Sequence, residues 1–209
     1  MSDKLAHIPQ MGDGSLHRKK LGCKQGQLAS THKAIPMPSI VFIDSRVTDY
    51  QSLIDGFTEP AEVFVLDGES DGLTQMVAYL QGRTCIDAIH VISHGSQGAL
   101  YLGSSVTDSG NLAMHESQLA SIGGALTETG DILLYGCNVA QGDTGLQFIS
   151  SLAQYTGADV AASTNATGAA LLGGDWELED QTGTLNVTPI FEDYQFLLPI
   201  DTTSYIPSN

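Results

Sequence analysis

Short, largely apolar runs alternate with amphipathic stretches through the middle of this chain, and this alternation is the strongest constraint on its fold. The first run is Ile40-Val41-Phe42-Ile43, and later runs occupy residues 62–66, 88–93, 131–135 and 159–162. A strand that lacks alternating polar residues is covered on both faces, which is typical of parallel sheets. The chain is therefore predicted to be α/β, a three-layer α/β/α sandwich with a mostly parallel sheet.

The stretches between the apolar runs have helical spacing. Leu73, Met76, Val77 and Leu80 would form one face of a helix over residues 71–81. Further helices are predicted near residues 49–56, 116–126 and 144–155. A Gly-Gly pair at 173–174, followed by the alternating residues 176–179, predicts a C-terminal hairpin.

The chain is predicted to have three parts. Residues 1–38 mix Gly, Ser, His, Lys and Pro without a hydrophobic period, which indicates a flexible basic arm. Residues 39–198 have enough apolar sequence for one folded domain. Residues 199–209 are interpreted as a linker.

The charge is uneven along the chain and narrows the choice of partners. The formal net charge is −16, yet six of the eight basic residues lie before residue 34, so the rest of the chain has two basic residues against 22 acidic ones. An acidic surface repels nucleic acid and anionic lipid, and it suits a cationic substrate, a divalent cation such as calcium, or solubility in salt. No apolar run is long enough for membrane insertion, and the N-terminus lacks the apolar core of a Sec signal peptide.

The number and spacing of the three cysteines do not indicate a disulfide-rich or zinc-binding protein. Cys23, Cys85 and Cys137 are an odd number without a close pair, which argues against a disulfide framework and a cysteine-based zinc site. At least one thiol must be free, and Cys85 is interpreted as a buried structural thiol.

Reactive side chains follow two consecutive predicted strands. His94 follows the third strand and Cys137 follows the fourth. Ligands of parallel sheets bind beyond the carboxyl ends of the strands, where an imidazole could take the proton of a thiol and make it a nucleophile. Gly95 and Gly136 would let the backbone approach a substrate and could free N–H groups for a developing oxyanion.

Each of these residues also has a simpler structural interpretation. Cys137 could be a buried structural thiol, since cysteine is among the most buried residue types. His94 could cap its strand by a hydrogen bond to a loop. His90, on the same face of the strand, is predicted to be a core histidine.

Three acidic residues have the spacing of oxygen ligands in a calcium loop. Asp67, Glu69 and Asp71 occupy alternate positions, but the rest of the twelve-residue pattern is missing. The alternative is a polar turn with Asp71 at the N-terminus of a helix. Calcium is thus a candidate ligand.

The segments 93–96, 131–140 and 173–179 resemble DUF4347, an uncharacterised domain family, over residues 40–187. The order of the His-Gly and Cys motifs is similar to that of the caspase, gingipain, clostripain and separase clan of cysteine peptidases. This resemblance implies a caspase-like fold with His94 as general acid and base and Cys137 as nucleophile. It places the oxyanion donors on the backbone of Gly95 and Cys137.

The resemblance also suggests a substrate site and a biological setting. The clan binds substrate after the strand that follows the nucleophile, here Ser163, Thr164 and Asn165, with Asp175 and Trp176 as walls. Members of the DUF4347 family typically lie near the N-terminus of very large bacterial surface or secreted proteins with calcium-binding repeats. An extracellular or cell-surface location within a larger protein, without a Sec signal peptide, is therefore expected.

The expected function is that of a cysteine endopeptidase that needs no cofactor for its chemistry. Its substrate would be a peptide or protein, including its own chain cut after Lys or Arg. One alternative is a catalytically silent peptidase-like module that caps a calcium-dependent adhesin or mediates its interactions. Another is a calcium-responsive structural domain.

Overall fold

The structure is a computed structural model that describes residues 39–57, 61–186 and 194–198. The predicted arm (1–38) and linker (199–209) lie outside the described residues. The strands, in chain order, are β1 (Ser39–Asp44), β2 (Glu62–Leu66), β3 (Ile86–Ile92), β4 (His94–Ser96), β5 (Ala99–Leu102), β6 (Ser105–Asp108), β7 (Leu126–Tyr135), β8 (Asp159–Ala162) and β9 (Asp180–Gln181). The α-helices are α1 (Tyr50–Asp55), α2 (Gly72–Leu80), α3 (Glu116–Ala125) and α4 (Gly142–Thr156).

The main sheet has six strands in the order β2-β1-β3-β7-β8-β9. All its pairings are parallel except that of the two-residue strand β9 with β8. The prediction of a mixed α/β protein with a mostly parallel sheet is confirmed. All five predicted strands and all four predicted helices are present, with bounds that differ by a few residues.

Two hydrophobic clusters lie on opposite faces of this sheet, which explains why its central strands contain continuous apolar runs. In β1, Ile40 and Phe42 belong to one cluster and Val41 and Ile43 to the other, and each is at most 1% exposed. Helices α2, α3 and α4 supply the first cluster. Helix α1 and residues 194–198, called here the C-terminal strap, supply the second. Burial of each such side chain stabilises the fold by about 1.5–3 kcal/mol.

The predicted C-terminal hairpin is wrong. Gly173, with φ of 85°, ends a short 3₁₀ turn, and residues 176–179 pair with no strand. Trp176 and Leu178 instead pack against the second cluster. The alternation therefore reflects one-sided burial of an irregular segment, and antiparallel pairing begins only at β9.

A small antiparallel sheet, β4-β5-β6, was not predicted. Its strands have three or four residues, and Gly98 and Gly103, both in the left-handed region, lie at its two turns. Strand β4 begins at His94, two residues after the end of β3 at Ile92. This sheet therefore fixes the backbone that carries His94.

In the part of the chain that the structure describes, no helix is long and apolar enough to cross a membrane.

Candidate active site

The ends of β3 and β7 lie side by side. Ile92 pairs with Tyr135, and the Ser93 N–H donates to Tyr135 O at 3.1 Å. His94 and Cys137 each follow these paired residues by two positions. Both therefore emerge at the same edge of the sheet.

Two glycines allow the strand ends to touch. A Cβ atom on Gly95 would lie 2.6 Å from Val139 Cγ2 and 3.0 Å from Cys137 O. A Cβ atom on Gly136 would lie 3.3 Å from Gly95 Cα. The absence of side chains here brings the two backbones into contact, whereas the sequence had suggested room for a substrate.

The His94 ring is held at one nitrogen and free of partners at the other. Its Nε2 lies 3.2 Å from Arg46 O. A carbonyl oxygen only accepts, so Nε2 must carry the proton, and in the neutral ring Nδ1 then carries the lone pair. Within the described residues this buried Nδ1 has no hydrogen-bond partner. The ring is thus set up to receive a proton at Nδ1.

Asp44 completes the row of polar residues at the strand ends, and the sequence analysis missed it. Its carboxylate is 1% exposed and accepts N–H bonds from Arg46 at 2.8 Å and from Gly103 at 2.5 Å. Burial raises the pKa of Asp44, partly offset by these hydrogen bonds and by the charges of Arg46 and His94. The signal was present, because Asp44 ends an apolar strand just as His94 and Cys137 follow theirs.

The Cys137 thiol is deeply buried. The residue is 1% exposed, and its sulfur accepts the Thr167 N–H at 3.2 Å and lies 3.7 Å from Thr167 O. Burial raises the pKa of this thiol, although the backbone N–H groups of Thr167, Leu198 and Cys137 itself act in the opposite direction. The described contacts of the sulfur go to the backbone, and no hydrogen bond joins it to the His94 ring.

The C-terminal strap covers the sulfur. Leu198 N–H donates to Thr167 O at 3.0 Å, and Ala169 N–H donates to Phe196 O at 2.8 Å. Gly168 and Leu197 form an antiparallel bridge between these bonds. Leu198 is fully buried in the same cluster as Cys137.

Three of the five predicted substrate-binding residues come together beside Cys137. Asn165 O accepts the Asn138 N–H at 2.7 Å, Asn165 Nδ2 donates to Asp175 Oδ2 at 3.1 Å, and Ser163 Oγ lies 3.2 Å from Asn165 Oδ1. Glu179, which the sequence analysis missed, also accepts from Asn165 Nδ2. The Glu179 carboxylate also accepts the backbone N–H of Thr164 at 2.8 Å. Thr164 therefore joins this group through its backbone and not through its side chain.

Trp176 is not part of that polar group. Its ring lies 5.9 Å from the rings of Tyr135 and Tyr194, in the second hydrophobic cluster. It packs against the cluster that contains Cys137 and Leu198.

The predicted calcium ligands form a capped turn. Asp67 Oδ1 accepts the Glu69 N–H at 3.0 Å, and Asp71 Oδ1 accepts the Thr74 N–H at 2.7 Å as the N-cap of α2. The alternative interpretation of this segment is therefore confirmed for Asp71. Among the described residues, no group of three or more His, Cys, Asp or Glu side chains could hold a metal ion.

The interpretation of Cys85 as a buried structural thiol is wrong. Cys85 is only half-buried, just before β3, and it is disulfide-bonded. Cys137 is the free cysteine of the described residues. The apolar neighbour Ile86 is the only sequence feature that indicates burial of the Cys85 side chain.

These features define an α/β protein with a buried thiol and an oriented histidine at the edge of a mostly parallel sheet. Comparison with known protein families matches residues 40–196 to DUF4347, a domain of unknown function. The chain belongs to the DUF4347 family. A search of curated proteins finds no match.

Proposed function

We propose that this chain is a cysteine endopeptidase with a caspase-like arrangement, in which Cys137 is the nucleophile and His94 the general acid and base. The contact between the ends of β3 and β7, where Gly95 abuts the Cys137 backbone, is the observation that carries the proposal. The parallel order β1-β3-β7-β8 and the separate hydrophobic clusters on the two sheet faces support the caspase-like architecture.

In the proposed reaction, the Cys137 thiol gives its proton to His94 Nδ1 and the sulfur attacks the peptide carbonyl. Backbone N–H groups at Gly95 and Cys137 hold the oxyanion, and His94 returns the proton to the leaving amine. Water then attacks the acyl-enzyme, gives a proton to His94 and releases the acid and the thiol. The bond from Nε2 to Arg46 O keeps Nδ1 available throughout.

The substrate in this proposal is an extended peptide, with Lys or Arg as the preferred residue at the cut. Asp175 and Glu179 support this preference because both bind Asn165, whose carbonyl contacts the residue after Cys137. The strongly acidic chain favours a cationic segment, including one of its own, over nucleic acid. The proposal also includes a place in a large bacterial surface or secreted protein, with calcium as a candidate ligand.

A second function, that of a catalytically silent cap or interaction module, is favoured by a specific observation. The Cys137 sulfur is sealed among aliphatic and aromatic side chains, and burial raises its pKa. A raised pKa leaves little thiolate at neutral pH. The two functions therefore differ in whether this thiol ever becomes reachable.

The test compares the wild-type chain with Cys137→Ala and His94→Gln on a peptide library, with and without calcium, read by mass spectrometry. A peptidase should yield fragments that both substitutions abolish, a loss of at least about 10²-fold in rate. Asn138→Ala, next to the nucleophile, is not informative, because Asn138 adopts a left-handed backbone with φ of 62°. Ser150→Ala, on the exposed side of α4, is the control that should leave cleavage unchanged.

If neither the wild-type chain nor a variant with an accessible Cys137 cleaves any peptide, the silent module remains as the function.

A further inference from the structure

The segment that seals Cys137 is joined to the domain by one isolated antiparallel bridge and is not part of the main sheet. The C-terminal strap pairs antiparallel with residues 167–169 through two hydrogen bonds, from Leu198 N to Thr167 O at 3.0 Å and from Ala169 N to Phe196 O at 2.8 Å. Extended peptides bind proteins in this way, with affinity from the main chain and selectivity from alternate side chains.

The protein surface under the strap lacks side chains at two glycine positions. Gly168 has φ of 129°, and a Cβ atom there would overlap Phe196 O and lie 2.9 Å from Leu197 Cα. A Cβ atom on Gly174 would lie 2.5 Å from Leu197 Cδ2. The two glycines thus leave space for the strap, Gly168 for its backbone and Gly174 for the side chain of Leu197.

The strap is buried at its two ends and exposed in its middle. Tyr194 and Leu198 are buried, at 3% and 0% exposed, whereas Gln195 and Phe196 are exposed. Leu198 lies against Cys137, and the Tyr194 hydroxyl donates to Thr48 O at 2.5 Å. The strap is therefore held by two anchors and a few backbone bonds, while the parallel sheet beneath it is complete without them.

A buried polar atom at this edge lacks a partner. Thr167 is 0% exposed, and its Oγ1 has no hydrogen bond within the described residues. The backbone of the same residue contacts both the Cys137 sulfur and Leu198. The edge thus retains unused hydrogen-bonding capacity for a ligand beside the thiol.

We propose that residues 167–169 form a binding site for an extended peptide, that the C-terminal strap occupies this site in the resting protein, and that Cys137 becomes reachable only when the strap leaves. The ligand class is a short extended segment with an aromatic residue and, four positions later, an aliphatic one. The inference deepens the proposed function by naming how access to the site is controlled. It concerns access to the thiol and holds whether or not that thiol cuts peptide bonds.

The experiment measures alkylation of Cys137 in the native full chain by iodoacetamide, read from the mass of the peptide that contains this residue. Leu198→Asp places a charge at a fully buried position and should displace the strap, which increases the alkylation rate by about tenfold or more. Leu198→Ala should give a smaller increase, and Gln195→Ala, an exposed change within the strap, should stay within about twofold of wild type. Hydrogen exchange of the β7 amides in the same samples reports whether the sheet remains folded.

An unchanged alkylation rate in Leu198→Asp, with β7 still protected, overturns the proposal. If Leu198→Asp loses that protection, the decision passes to Leu198→Ala and to Tyr194→Phe, which removes only the hydroxyl bond to Thr48. Wild-type rates in both of those variants overturn it equally.

A second measurement tests the binding site itself. The pentapeptide Tyr-Gln-Phe-Leu-Leu, added to Leu198→Asp, should slow alkylation of Cys137, and the scrambled peptide Leu-Tyr-Leu-Gln-Phe should not. Equal effects of the two peptides overturn the binding site. Fast alkylation of Leu198→Asp without peptide cleavage supports the strap and removes the peptidase, so the two proposals fail separately.

Discussion

At the scale of single residues, His90 shows how packing fixes a titratable group. Its ring is 0% exposed and stacks on Tyr135 at a centroid distance of 5.9 Å, with Nδ1 3.4 Å from the Tyr135 hydroxyl. Burial lowers the pKa of His90 from 6.5 to about 4. The prediction that His90 is a core histidine is confirmed, and the folded protein keeps it neutral.

The burial of His90 makes the free energy of unfolding of the protein decrease at acidic pH. Below about pH 6.5 the unfolded chain binds a proton at His90, whereas the folded chain binds one only near pH 4. The free energy of unfolding therefore decreases as the pH falls from about 6.5 to about 4. The free energy of unfolding should drop by about 3 kcal/mol from this group. Urea unfolding at neutral pH and near pH 4 measures the loss, and His90→Gln should lack that part of it.

His115→Gln is the matched control, because His115 is only half-buried at the start of α3. It should retain the pH dependence of the wild type. Asp44 titrates in the opposite sense, since burial raises its pKa, but it is present in all three proteins and cancels in the comparison. Equal losses in the wild type and His90→Gln would refute the prediction.

The residues of the candidate site were predictable only where the sheet itself positions them. His94 and Cys137 could be found because each follows an apolar run, and parallel strands end at one edge. Thr167 and Leu198 could not, since they meet the sulfur through backbone atoms 30 or more positions away. Backbone contacts carry no signature in the identity of a residue.

At the scale of elements, the packing of α3 on α4 depends on one glycine. A Cβ atom on Gly123 would collide with the carbonyl of Thr156, the last residue of α4. The adjacent Gly124 has open space around its Cβ position. Neighbouring positions of one helix therefore differ sharply in what they tolerate.

Gly123→Ala should lower the free energy of unfolding by about 1–3 kcal/mol, because α4 must shift to admit the methyl group. Gly124→Ala should raise it by about 0.5–1 kcal/mol, since alanine is the better helix former at an exposed position. Chemical denaturation of the two variants beside the wild type gives both values. Effects of the same sign would show that α3 does not pack as described.

The elements themselves were largely predictable from the sequence. Double-sided burial makes the strands of the main sheet continuous apolar runs, and helix α2 shows its face at three- and four-residue spacing. The strands β4, β5 and β6 are too short for a periodic signal and are defined by turns at Gly98 and Gly103. The strap was missed for a similar reason, because only its pairing to residues 167–169 makes it extended.

At the scale of the whole molecule, excess negative charge is the main electrostatic feature. From residue 34 onward the chain has two basic residues against 22 acidic ones, and one of the two, Arg83, pairs with Glu62 at 2.7 Å on the surface. Like charges at this density repel one another, and the repulsion is relieved when the chain expands. Salt should therefore stabilise the folded state.

The melting temperature should rise by a few degrees, on the order of 3–6 °C, between low salt and about 0.3 M NaCl, where screening shortens the range of repulsion. Glu69→Gln combined with Glu128→Gln, two exposed changes, should raise the melting temperature at low salt and reduce the further rise. Calorimetry at several NaCl concentrations measures both effects. A melting temperature that falls with salt would contradict the prediction.

The position of Leu198 also decides where this domain can be trimmed. The family match ends at residue 196, two residues short of the buried Leu198, which packs in the same cluster as Cys137. A fragment that ends at that boundary lacks Leu198 and would expose apolar surface and the Cys137 thiol. Because an exposed thiol can be oxidised, two such fragments would be prone to form a disulfide-linked dimer. A preparation of such a fragment would then report the chemistry of a damaged surface instead of the protein's native behaviour.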